Sequence, residues 1–259
     1  MNPIIYGLLF AGGLFVGMLV CLEAGRRIGN RRLARDPEGA RHGVGAVEGA
    51  VFGLMGLLLA FTFSGAAERF NARRLMVVEE ANDIGTAWLR LDLVPAPAAT
   101  GLREQFRHYL DSRLETYRLL TDIAAAHAEL AHSVQLQGEI WNAAVAACRD
   151  AGSPAAPMLL LPALNAMFDI TTTRIEAMKN HPPAVIFAML GGLSLASALL
   201  AGYGMAGSKS SSWVHCVGFA AVVAVTSYVI IDLEYPRLGF IRVDDADSVM
   251  VDLRASMNH

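Results

Sequence analysis

The sequence predicts an all-α membrane protein with four transmembrane helices and a helical extramembrane bundle. Of its 259 residues, 54% are hydrophobic, and the mean hydropathy of +0.41 exceeds that of ordinary soluble domains. Four apolar segments reach the length of about 20 residues that crosses a hydrocarbon layer of about 30 Å. No strand-like alternation of polar and apolar residues occurs over any length.

These segments divide the chain into two hairpins with a polar region between them. The first segment is followed by the basic stretch "EAGRRIGNRRLAR" instead of a cleavage site, which predicts a retained span. The predicted organisation is spans 3–22 and 43–67 within 1–67, a helical bundle at 68–181, spans 182–204 and 214–233 within 182–233, and a C-terminal tail at 234–259.

Apolar residues recur at helical intervals through the polar region. The second span is predicted to continue as one long helix to about residue 94, where "PAPAAT" breaks the pattern. A second helix carries an apolar stripe of Leu102, Phe106, Tyr109, Leu110, Leu114 and Tyr117. Further helices are predicted at about 127–150 and 158–179. A single layer of such helices buries little surface, so we expect the chain to form a homo-oligomer.

The second span carries a stripe of glycines followed by large apolar residues. Gly45, Gly49 and Gly53 share one helix face, and Leu57 and Phe61 continue it. One interpretation is close helix packing, through Gly45 and Gly49 above all. The other is a pore lining in which Gly53, Leu57 and Phe61 form an apolar neck that gates by dewetting. Both roles are compatible in an oligomer.

Glu48 lies in the same span, about one residue from the glycine stripe. An ionisable group at this depth is expected to face protein or water instead of lipid. A position near the membrane interface, a polar pairing and a place in a pore vestibule all remain open.

Three motifs resemble bestrophins. "LLLAFTFSGAAERFNARR" is similar to their pore-helix region, with an apolar neck leading to an Arg-aromatic pair. "KNHPPAVIF" resembles the entry into the third span of bacterial homologues, and "IIDLEYPRLGFIRVDDAD" resembles the exit from the fourth. The whole chain looks like a bestrophin-like group of bacterial membrane proteins. The matching positions are Arg69, Phe70, Lys179, Asn180, Pro182, Glu234, Pro236 and Gly239.

This resemblance implies a homo-pentameric channel for chloride or other anions in a bacterial inner membrane, with the second span around the axis. Its expected partners are membrane lipid and inorganic anions, without a cofactor. The net charge of −3 and the lack of a basic tail argue against nucleic acid. The alternative hypothesis is a non-conducting membrane scaffold or sensor whose helical domain binds a partner.

Two arguments about orientation disagree. The loop after the first span is rich in arginine, so the positive-inside rule places it in the cytoplasm and residues 68–181 outside. The bestrophin resemblance instead implies that the helical insert is cytoplasmic. The arginines of this loop are Arg26, Arg27, Arg31, Arg32, Arg35 and Arg41, and the other loop on that side has only Lys209.

Catalytic and metal-binding patterns have little support. The chain has no Gly-x-Ser-x-Gly elbow, phosphate-binding glycine loop or His-Glu-x-x-His helix, so it is not predicted to be an enzyme. His127 and His132 are five residues apart, which does not align them on one helix face, and no metal site is expected.

Acidic residues cluster in two places. Glu79, Glu80 and Asp83 are expected to pair with Arg73, Arg74 or Arg90 within a helical bundle. The second cluster resembles the position of a bestrophin calcium clasp, but a solvated acidic tail is the favoured interpretation. Its members are Asp232, Glu234, Asp244, Asp245 and Asp247.

Overall fold

The fold is a set of long helices connected by short segments. A computed structural model describes residues 3–36, 44–119, 122–207 and 213–258, with the backbone alone at 3, 44, 244 and 245. The helices are α1 (Pro3–Arg35), α2 (Val44–Arg90), α3 (Ala96–Arg118), α4 (Ile123–Asp150), α5 (Ala155–Lys179), α6 (Ala184–Gly204), α7 (Trp213–Glu234) and α8 (Asp244–Ser256). Within the described ranges there is no strand, which confirms the all-α prediction.

The hydropathy pattern predicts these helices well. Among the described residues, four helical segments are long and apolar enough to cross a membrane. The second span does continue as a single helix, α2, which ends at Arg90 in a short 3-10 turn, Leu91–Leu93. The segment Asp244–Ser256 was expected to be part of a tail, but it forms α8. Lys209 and Arg41 lie outside the described residues.

The chain divides into two compact units. The first comprises residues 1–70 and 181–241, and therefore holds α1, α6, α7 and the first part of α2. Inside it, α1 and α6 approach closely through glycines: a Cβ on Gly25 would collide with the backbone oxygen of Leu199, and one on Gly202 with that of Leu22. Small residues allow such close backbone contact where water does not drive helix association.

The second unit comprises residues 71–180 and 242–259. Its core is formed by the apolar faces of α3, α4 and α5 and the second part of α2, together with Met250 of α8 and Met257, which directly follows α8. The predicted stripe of α3 is the buried one, since Leu102, Phe106 and Tyr109 are all at most 2% exposed. Helical periodicity in this region thus marks the core of the second unit.

Candidate pore-lining helix

The first part of α2 has one packed side and one open side. Met55, Thr62 and Ala66 are buried against other helices of the first unit. Leu57 and Phe61 are 52% and 68% exposed, and Gly53 is exposed with them. At about 100° per residue, Leu57 lies about 160° around the helix from Met55. The three predicted neck residues therefore share a face that is left open within the protomer.

The glycine stripe faces open space as well. A Cβ built on Gly45, Gly49 or Gly53 would meet nothing within 4 Å in the described chain. The close glycine contacts inside the protomer belong to α1 and α6 instead, and the sequence pattern did not single them out. If the α2 glycines have a packing role, it concerns a contact outside the protomer.

Glu48 lies against protein. A Cβ on Gly204 of α6 would be 2.6 Å from the Glu48 Oε1 atom, so the carboxylate packs on the glycine backbone. Its Oε1 atom is buried without a hydrogen-bond partner in the described structure. This contact with Gly204 agrees with the expectation that the Glu48 side chain faces protein or water instead of lipid.

An ion pair holds α2 beyond the predicted neck residues. Arg69 donates from Nε and Nη2 to Oε1 of Glu234 at 2.9 and 2.6 Å. The other carboxylate oxygen of Glu234 lies 3.4 Å from Nδ1 of His181, and the His181 ring stacks on Tyr235 with centroids 4.7 Å apart. The Glu234 side chain is 1% exposed. Two hydrogen bonds from one guanidinium compensate for the burial of this charge.

A tight turn follows α7 and is organised by Asp232. Its Oδ1 accepts from the backbone N–H of Phe240 at 3.1 Å, and its Oδ2 accepts from that of Ile241 at 2.8 Å. A Cβ on Gly239 would collide with the same carboxylate, so a larger residue there would displace Asp232 from these hydrogen bonds. The motif similar to the bestrophin exit is thus a turn closed by an acidic side chain.

The remaining family-matching positions lie apart from this cluster. Phe70 packs beside Ala66, Leu190 and Ile230. The backbone oxygen of Asn180 accepts from Nη2 of Arg73 at 2.8 Å, which caps the end of α5. Lys179 forms an exposed ion pair with Glu176, and half-buried Pro182 precedes α6. Pro236 lies in the turn after α7.

Two expectations about acidic residues were wrong. Asp232 and Glu234 are not part of a solvated tail, since they are 5% and 2% exposed and hydrogen-bonded. Glu80 does not pair with Arg73, Arg74 or Arg90; it bonds to Arg113 and Arg174. The side chains of Asp244 and Asp245 lie outside the described part of the structure. No group of three or more metal-binding side chains occurs in the described residues.

Sequence reasoning missed these partners because they are distant in the chain. One signal was available: Arg113 lies between Tyr109 and Tyr117 on the apolar stripe of α3, four residues from each. A basic residue on a buried stripe requires a buried partner. The sequence pattern thus predicts that Arg113 has a buried acidic partner, but it does not identify Glu80 as that partner.

The fold and the open face of α2 define an all-α, multi-span membrane protein. A family model described as the bestrophin-like domain matches residues 12–247. The chain therefore belongs to the bestrophin-like family. No curated protein and no solved structure matches it.

Proposed function

We propose that the chain is one subunit of an oligomeric anion channel, and not an enzyme, in which α2 lines an axial pore. The observation that carries this proposal is the position of Leu57 and Phe61, which project from the side of α2 opposite its packed side. A ring of such side chains, one set from each subunit, would narrow the pore. Narrow apolar rings exclude water and ions until they widen, so this neck would act as a gate.

The small residues of the open face suit a position at the axis of an oligomer. Gly45, Gly49, Gly53 and Ser64 are small and exposed on α2. On α1 several exposed residues are large and aliphatic, as expected for contact with lipid tails: Leu8, Leu9, Val16 and Val20. Small residues permit neighbouring copies of α2 to pack closely at one level, while Leu57 and Phe61 constrict at another.

The ion pair beyond the neck supports the same proposal. A pore-lining helix must be held at a fixed rotation about its own axis. A rotation of about 100° would move a lining residue away from the pore and bring its neighbour in the sequence to that position. Arg69 lies two turns beyond Phe61, and Glu234 holds it by two hydrogen bonds. This contact sets which face of α2 is open.

Family membership supports the finer features of the proposal. We infer chloride or related inorganic anions as the conducted ions, a pentamer as the assembly, and the bacterial inner membrane as the location. Membrane lipid is then the surrounding partner of the four spans. Membership in the bestrophin-like family suggests a channel-related function, and the open face of α2 provides a place for it.

The experiment is a halide flux assay on purified protein in liposomes, with mass photometry of the same sample. Phe61→Ala is expected to raise flux by about tenfold or more, because it widens the ring. The matched control is Phe63→Ala, which removes the same side chain from the same helix about 160° away and is expected to leave flux near the wild-type value. Equal effects of the two variants would contradict a neck at Phe61.

The alternative is a non-conducting scaffold or sensor, and one observation favours it. The second unit exposes large apolar side chains, with Leu89, Ile123 and Met158 each more than 70% exposed. Such side chains can dock a protein partner. A folded oligomer that passes no halide under varied pH and calcium, and that co-purifies with one stoichiometric partner, would support this alternative over the channel.

A further inference from the structure

The arginine-rich end of α1 projects beyond the helix that packs beside it. α1 has 33 residues and is about 50 Å long, whereas a span of about 30 Å needs only about 20 residues. Its neighbour α6 has 21 residues, which is the length of one span. Just past the end of α6, the backbone N–H of Gly207 donates to Oδ1 of Asn30 at 2.8 Å. Asn30 therefore marks the level at which α1 leaves the hydrocarbon layer.

Four exposed arginines lie near this level: Arg27, Arg31, Arg32 and Arg35. At 1.5 Å per residue, they extend from about 5 Å before Asn30 to about 8 Å beyond it, which is the depth of the lipid headgroups. Arg27 pairs with Glu23 at 2.7 Å. The other three form no ion pair with any acidic residue that the structure describes. Three positive charges without a described partner are thus held in the headgroup layer.

The arginines continue the side of α1 that carries exposed aliphatic residues. At about 100° per residue, Arg27 lies within about 20° of Val16 around the helix, and Arg31 lies within about 20° of Val20. Val16 and Val20 are 59% and 62% exposed. Gly25, about 160° from Arg27, packs on α6 instead. Arginines near a helix C-terminus also stabilise the helix dipole, but that role requires no particular side of the helix.

We propose that this face of α1 binds an anionic phospholipid from the leaflet at this end of the helix. The acyl chains would lie along Val16 and Val20, and the phosphate would lie at Arg27 and Arg31. The helix rises about 22 Å from Val16 to Arg31, which is the thickness of one leaflet with its headgroups. Guanidinium groups suit the phosphate because they donate two parallel hydrogen bonds to it. The site lies on α1 alone and does not depend on conduction.

The charge of the site favours an anionic headgroup over a zwitterionic one. A choline or ethanolamine group beside the phosphate would be repelled by Arg31, Arg32 and Arg35. An anionic headgroup such as glycerol phosphate brings no positive charge with it. Clusters of four or more basic residues next to a span attract anionic lipids for this reason.

Native mass spectrometry of the full chain in detergent tests the proposal, with dioleoyl phosphatidylglycerol and dioleoyl phosphatidylcholine as probes. The wild type is expected to retain phosphatidylglycerol about tenfold better than phosphatidylcholine. Arg31→Gln combined with Arg35→Gln should remove most of this preference and leave retention of phosphatidylcholine unchanged. The matched control, Arg118→Gln combined with Arg149→Gln, removes the same charge from exposed positions of α3 and α4 and should retain the preference. Circular dichroism verifies that each variant is folded.

Inorganic phosphate separates a lipid site from a site for the free ion. It is expected to displace little phosphatidylglycerol at equal concentration, because it makes no contact with Val16 and Val20. Three results would overturn the proposal. One is equal retention of the two lipids by the wild type. Another is an equal loss of preference in the Arg31 and Arg35 variant and in its control, which would indicate an effect of net charge alone. The third is displacement of the lipid by phosphate at equal concentration.

Discussion

Arg69 and Glu234 are 165 residues apart in the chain, yet the guanidinium of one donates two hydrogen bonds to a single carboxylate oxygen of the other. Glu234 is almost fully buried, whereas Arg69 is 29% exposed. The pair joins the end of the spanning part of α2 to the end of α7. Its loss should therefore affect both stability and the position of the proposed neck.

A double-mutant cycle tests this ion pair. Arg69→Met should destabilise the protein by about 3–5 kcal/mol, because the buried carboxylate of Glu234 would lose both hydrogen bonds from the guanidinium. Adding Glu234→Gln should recover part of the loss, since the remaining charge is then removed. Thermal unfolding of the two single variants and the double variant measures the coupling. Additive losses would show that the two groups do not interact.

The close contact between α1 and α6 predicts a strong effect of one added methyl group. Gly25→Ala places a Cβ against the backbone oxygen of Leu199, so the helices must separate, at a cost of about 1–3 kcal/mol. Gly12→Ala is the matched control on the same helix, where a Cβ meets nothing within 4 Å. Thermal unfolding in detergent compares the two. Similar midpoints for both variants would contradict the contact.

The buried carboxylate of Glu80 predicts a pH-dependent stability. Burial raises the pKa of Glu80, but the guanidiniums of Arg113 and Arg174 outweigh burial and hold it below its ordinary value of 4.5. Because the folded pKa is the lower one, the ionised group stabilises the fold above about pH 4.5, and this stabilisation is lost as the pH falls toward the folded pKa. Glu80→Gln should cost about 3–5 kcal/mol at neutral pH and progressively less below pH 4.5.

Melting temperatures measured from pH 7 downward test this dependence. The exposed pair of Asp111 and Arg254 supplies the control, since Asp111→Asn should cost at most about 1 kcal/mol. If the difference between wild type and Glu80→Gln stays constant down to pH 4, the titration of Glu80 does not explain it.

Cysteine cross-linking tests whether copies of α2 meet in the assembly. In a background with Cys21, Cys148 and Cys216 replaced by serine, Gly49→Cys should form a disulfide between subunits under mild oxidation. Val222 on α7 is exposed as well, and we expect it to face lipid in the assembly, so Val222→Cys should remain reduced. Gel mobility without reductant reports both results. Preferential cross-linking at Val222 would place α7, not α2, at the subunit contact.

Hydropathy and helical period predicted the spans, the continuous α2 and the buried face of α3, because each of these follows from local residue order. Side-chain partners could not be predicted in the same way. Glu80 lies six, seven and ten residues from Arg74, Arg73 and Arg90 on the same helix, but it bonds to residues 33 and 94 positions away. The tertiary fold determines which arginines bond to this carboxylate, since local pairs on a helix surface contribute only about 0.5 kcal/mol or less.

The two glycine patterns show the same limit. The regular spacing at Gly45, Gly49 and Gly53 is visible in the sequence, but these residues contact nothing in the protomer. Gly25 and Gly202 have no joint pattern, because they lie on helices far apart in the chain. Their packing depends on which spans become neighbours, and hydropathy carries no information about this.

The close approach of α1 and α6 at Gly25 and Gly202 also has a consequence for biosynthesis. Asn30 and Gly207, at the ends of the same two helices, are joined by a hydrogen bond across 177 residues. At about 5–20 residues per second, a ribosome needs roughly 9 to 35 s to supply the second partner after the first. During that interval the glycine face of α1 is in the membrane without α6. An insertase or a transient lipid contact that shields this face would then determine how much newly made chain folds correctly.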